Sequence, residues 1–114
     1  MKLTDLSRAD RELLAKWGLL SEGECELTAR ARRVVYVGRL QRKLAALRRV
    51  FDHEFVDGCW GPRSQEEMEQ VVYQLVLQSE RAQIEKWAWC ANRAMDEDGS
   101  AAPRVRVPEW DHAA

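Results

Sequence analysis

The sequence is poor in the residues that advertise chemistry. Among 114 residues there are two histidines, three cysteines, three prolines and six glycines. The glycines form no phosphate-cradling loop. Cys25, Cys59 and Cys90 are odd in number and lack short spacings, which excludes a secreted disulfide framework. No apolar run approaches the ~18 residues that a membrane span requires. A net charge of −1 excludes a globally basic protein, so any nucleic-acid argument rests on a local patch. The opening MKLTDLSRADRELL is charged within its first residues, unlike a secretory signal. The expected setting is cytoplasmic.

What remains is ordinary for a globular chain: 46% apolar and 32% charged residues, enough for one domain with a real core. The expected fold is all-α, with a short N-terminal helix and two long antiparallel helices over residues 1–95. A flexible tail is expected over 96–114. Leu6, Ala9, Leu13, Leu14 and Trp17 recur at steps of three and four and line one face of the first helix. Ser7 caps its start, Asp10 sits in its first turn, and Gly18 suits its end. A polar turn over 19–27 is expected to form a minimal wing-like hairpin or loop, and Thr28 then caps a second helix over 29–55. Its apolar stripe is Val37, Leu40, Leu44, Leu47, Phe51 and Phe55. Gly38 interrupts it at a bend or a close helix contact.

The second helix is also the strongest chemical signal. Between Glu26 and Asp52 there are eight cations and no acid. Arg32, Arg39, Arg42, Lys43 and Arg49 spread over one face, with Ala31, Val35 and Ala46 among them. Such a face suits an acidic protein surface or a phosphate backbone. The competing reading is that acids elsewhere in the chain neutralise it. Glu22, Glu24, Glu26, Glu66, Glu67, Glu69 and residues 96–98 are available for that role.

A third helix is expected over 65–95, opened by the capping box Ser64/Glu67. Two apolar stripes about 140° apart run along it. Met68, Val71, Val72 and Leu75 begin one, and Tyr73, Leu77, Ile84, Trp87, Ala91 and Met95 form the other. One helix buries only one such stripe against a neighbour. The second needs the short first helix or a second copy of the chain, and a homodimer is expected, with Tyr73, Leu77, Ile84, Trp87 and Met95 in or near the interface.

Of the five tryptophans, Trp17, Trp87 and Trp89 fit helix-packing positions. Trp60 lies in the Gly58-Cys59-Trp60-Gly61-Pro62 turn, where an aromatic anchors a partner or plugs the end of the helix pair. His53, Cys59 and Cys90, with Asp52, Glu54 or Asp57, lack the paired short spacing of a structural zinc site. No metal or cofactor is implied. His53 and Cys59 also form the one nucleophilic pair that can be drawn, but no oxyanion site accompanies it.

The stretch LLAKWGLLSEGECELTARARRV resembles the end of a winged helix-turn-helix domain, where a recognition helix leads through a hairpin wing into a new helix. Ala31 stands where that family has glycine, and the likeness covers some 22 residues, without the two helices that precede the motif. It implies a local helix, turn and capped helix, and no function is carried across. The expected function is stoichiometric, non-catalytic binding of a macromolecular partner through Arg32, Arg39, Arg42, Lys43, Arg49 and Trp60. Small motif-free proteins of this kind are frequent among phage and mobile-element inhibitors, anti-CRISPR proteins included. The alternatives are a dimeric DNA- or RNA-binding regulator using helix 29–55, and an enzyme centred on His53 and Cys59.

Overall fold

The computed structural model describes residues 1–20 and 26–110. Among them there are four α-helices and no strand: α1 (Arg8–Lys16), α2 (Ala29–Arg48), α3 (Pro62–Gln70) and α4 (Gln78–Asp98), with 3-10 turns at Leu3–Asp5, His53–Phe55 and Val71–Tyr73. The all-helical class agrees with the sequence, and several ends fall where local chemistry puts them. The Ser7 hydroxyl accepts from the Asp10 amide, the Asp10 carboxylate accepts from the Ser7 amide, and α1 begins there. The Thr28 hydroxyl likewise accepts from the Ala31 amide at the start of α2. The expected wing falls largely on residues 21–25, outside the described residues. Beside it, Glu26 bridges Lys2, and the Leu27 amide donates to the Met1 carbonyl.

Two expectations about length are corrected. The second helix stops at Arg48 rather than continuing to Phe55. Arg49 adopts a left-handed conformation (φ 55°), and both it and Val50 donate to the Ala45 carbonyl, closing the helix end. Phe51 is therefore exposed, while Phe55 is buried from a separate 3-10 turn.

The third helix is two helices. Pro62, pre-set for a first helical position, opens α3. Ser64 is thus not a cap, and is buried within the first turn. The chain then leaves helical geometry and is extended at Gln74 and again at Leu77. This break is how the two apolar stripes are resolved. In one continuous helix Val71 and Val76 would point about 140° apart, since each residue advances about 100°. With the helix interrupted, both enter one core with Val37, Leu40, Leu44, Met68, Ile84, Ala88, Ala91 and Met95. The Gln74 side chain secures the break by donating to the Leu47 carbonyl (2.7 Å), one of the free carbonyls at the end of α2.

The main layer is α2 packed along α4. Arg32 near the start of α2 meets Glu97 near the end of α4, and Lys43 further along α2 lies 3.9 Å from Glu80 in the first turn of α4. Helix α1 covers the early part of α2 through a second cluster of Leu6, Leu13, Leu14, Leu27, Ala31, Val34 and Val35. Gly38 marks a close contact: a Cβ there would lie 2.4 Å from Leu13 Cδ2. Fully buried Gln41 ties the 57–64 loop to α2. Its amide nitrogen is within bonding distance of Asp57, the Cys59 carbonyl and Ser64, and its oxygen accepts from the Asp57 and Gly58 amides.

The tail is not loose over its described part. Asp96 and Glu97 belong to α4, and Val105 is buried. The Asn92 amide exchanges two 2.8 Å hydrogen bonds with the Val105 backbone, as a neighbouring strand would. Gln65 does the same for Arg106, donating to its carbonyl at 2.8 Å and accepting from its amide at 3.1 Å.

Candidate protein-binding surface

The basic face of α2 forms as expected, but most of its cations are held by the chain's own acids. Asp10, fully buried, is the hub. It accepts from Arg39 Nε (3.1 Å) and Nη2 (2.7 Å) and from Arg42 Nη2 (2.6 Å). Burial opposes its charge, but the bonds from Arg39, the Ser7 amide and Arg42 outweigh burial and hold its carboxyl below the usual aspartate value. Arg32 pairs with Glu97, Arg33 with Asp98 at 3.7 Å, and Arg48 with Glu67 at 3.2 Å. Glu67, Glu97 and Asp98 were among the acids available in the sequence. Asp10, the most deeply buried of the partners, was not, because nothing in the spacing of α1 points to α2.

Other expected site residues lie as follows. Arg49 is exposed at the C-cap of α2. Trp60 is not an exposed anchor: it is buried in the main core, and its Nε1 donates to Gln65 Oε1 at 3.0 Å. Ile84 and Met95 are buried in the chain's own core and Trp87 packs half-buried against it, so these three do not form a free interface stripe. Tyr73 and Leu77 are exposed, as an interface needs. His53 is exposed in its 3-10 turn. Cys59 is exposed, and partial desolvation and then the Asp57 carboxylate push its thiol up. Among the described residues no three His, Cys, Asp or Glu side chains are grouped to hold a metal, and no helix is long and apolar enough to cross a membrane.

The surface that stands out instead is built on α4 and the tail. Trp87 and Trp89 are two residues apart, about 200° round the helix, so they cannot share a face. Trp87 takes the inner one, and Trp89 is 60% exposed. The tail then turns back along α4, fixed by Asn92, and sets Trp110 nearby. Trp110 Nε1 donates to Glu85 Oε1 at 2.8 Å. Between the two indoles lies a groove of 690 Å³, lined by Ala88, Trp89, Val107, Pro108 and Trp110 and, in equal part, by the polar Glu85, Asn92 and Glu109.

Each indole carries an arginine. The Arg93 guanidinium carbon is 5.2 Å from the Trp89 ring centre, and that of Arg81 is 5.3 Å from the Trp110 ring centre. These are cation–π distances. Arg81 is further fixed by donating from Nε to the Val76 carbonyl at 3.2 Å. Sequence reasoning missed this groove because it treated Trp89 as a packing residue and the tail as mobile. The usable signal was the two-residue spacing of Trp87 and Trp89.

Compared with known protein families, with curated proteins and with solved structures, the chain matches none.

Proposed function

We propose that this chain is a non-catalytic binding protein that associates stoichiometrically with a protein partner, docked in the Trp89–Trp110 groove. The arginine-backed tryptophan pair carries the reading. Trp and Arg are the residues over-represented where alanine substitution costs most binding energy, and such anchors work best when already rigid. Both indoles are restrained before any partner arrives, by Arg93 on one side and by Arg81 and Glu85 on the other. The internal pairing of Arg32, Arg39, Arg42 and Arg48 favours a protein over a phosphate backbone, since engaged cations release few counterions. Free thiols at Cys59 and Cys90 fit a reducing cytoplasmic setting. The reading suits an inhibitor of the phage or mobile-element type, which acts by occupying another protein's surface.

The test is affinity capture from host lysate with the tagged chain, beside Trp89→Ala and Trp110→Ala. The wild type is expected to retain a nuclease-resistant protein. Trp89→Ala should weaken that association about thirtyfold, a typical anchor loss, with unchanged circular dichroism. Equal capture by both tryptophan variants, or a captured species removed by nuclease, contradicts the reading.

A further inference from the structure

Residues 70–79 are ten consecutive positions without a charge, in a chain where 32% of residues are charged. They include the break between α3 and α4, where inward and outward positions alternate. Tyr73, Leu75 and Leu77 are 82%, 90% and 68% exposed, while Val76 between them is buried. The backbone is extended at Gln74 (ψ 154°) and Leu77 (ψ 145°). This row is held rigidly from behind. Gln74 bonds to the Leu47 carbonyl and accepts from Arg48 at 3.0 Å, and the Val76 carbonyl accepts from Arg81. Phe51, 85% exposed, stands just beyond the end of α2 that Gln74 grips. Four large apolar side chains are thus displayed at one end of the molecule.

We propose that a second copy of this chain covers this row, the two copies meeting across a two-fold axis with Leu75 near its centre. An isologous contact brings the same patch to both sides, so it must be compatible with itself. The uncharged 70–79 row meets itself without like-charge repulsion, and Phe51 beside it is flanked by one charge of each sign, Arg49 and Asp52. Phe51 and Tyr73 alone offer roughly 300–500 Å² per copy, and Leu75 and Leu77 add to it. Together they supply most of the roughly 800 Å² per partner of a standard stable interface. An apolar, extended, rigid segment is also the kind of edge that natural proteins cover. Arg81, which donates to the Val76 carbonyl and lies over Trp110, joins this row to the near wall of the groove, whereas Trp89 is outside the row.

Sedimentation equilibrium on the full chain tests this. The wild type should sediment at twice its 13.2 kDa monomer mass at micromolar concentration. Leu75→Glu and Leu75→Arg should each sediment as monomers, the dimer weakened by more than ~100-fold because two like charges meet at the axis. Their circular dichroism should be unchanged. Mixing the two variants should restore the dimer mass, since opposite charges then face each other. A wild type still monomeric at ~100 µM, well above the range of a specific interface, overturns the proposal. So does a Glu variant that stays dimeric, or a mixture that stays monomeric. Trp89→Ala, by contrast, should remain dimeric, which separates failure here from failure of the groove.

Discussion

Replacing Asp10 with asparagine keeps the volume and one acceptor oxygen but removes the anion on which two arginines converge. Two unit charges 4 Å apart at an effective dielectric near 20 interact by roughly 4 kcal/mol. The Arg39 and Arg42 side chains are 21% and 32% exposed, so water recovers part of that loss. Removing one partner of a buried pair costs about 3–5 kcal/mol, and this exposure brings the expectation to about 2–3 kcal/mol. Unfolding entropy near 2.1 cal/mol/K per residue translates that into a melting temperature about 10 °C lower for a chain of this length. Urea denaturation should show a lower midpoint with an unchanged slope.

The pH dependence carries a definite sign. The Asp10 pKa is depressed in the folded state, so its contribution is fully present above the unfolded aspartate value of about 3.9. It is lost as pH falls through the lower folded value. The gap between wild type and Asp10→Asn should therefore be constant near neutrality and close at progressively lower pH below about 4. A cost under about 0.5 kcal/mol, or a gap undiminished in strong acid, refutes the view of Asp10 as the hub joining α1 to α2.

Three further substitutions test the framework that positions the groove. Gly58→Ala places a Cβ 2.8 Å from Val34 Cγ1 at a residue with φ 78°, and should cost about 2 kcal/mol by urea titration; a neutral outcome would mean this turn relaxes freely. Gln41→Leu leaves the Asp57 and Gly58 amides without their acceptor and should cost about 2–3 kcal/mol, with faster hydrogen exchange over 57–64 as the check. Asn92→Ala frees the Val105 amide and carbonyl, and should raise exchange at Val105 at least tenfold and alter Trp110 fluorescence while α2 and α4 stay protected. Unchanged exchange there would mean Gln65 alone holds the tail.

Much of the helical content was legible because local chemistry decides it. Ser7 and Asp10 cap α1, Thr28 caps α2, and Gly38 marks the close approach to Leu13. The illegible parts depend on contacts distant in sequence. No proline or glycine announces the break after Gln70. It follows from the need to bury Val71 and Val76 in one core, and from a Gln74 bond to Leu47, 27 residues earlier. The second apolar stripe was a real signal, but its cause was a broken helix rather than an interface for Ile84 and Met95. The basic face was equally real. Its neutralisation by Asp10 acts across 29 residues, and no spacing rule reveals that. The order of the tail rests on side-chain amides of Gln65 and Asn92 that read its backbone. Such pairing leaves no pattern in the tail itself.

The central claim is that most cations of α2 are engaged within the fold and that a partner docks elsewhere. Titration of duplex DNA and duplex RNA at ~50 and ~200 mM salt tests it most directly, because phosphate neutralisation gives an affinity that falls with salt by close to one power per contact. The account predicts no saturable binding to either duplex at the higher salt, and any weak binding at the lower salt unchanged when Lys43 and Arg49 are replaced by glutamine. Saturable binding with a salt slope of about −4 or steeper, made shallower by about two units by those substitutions, would contradict it.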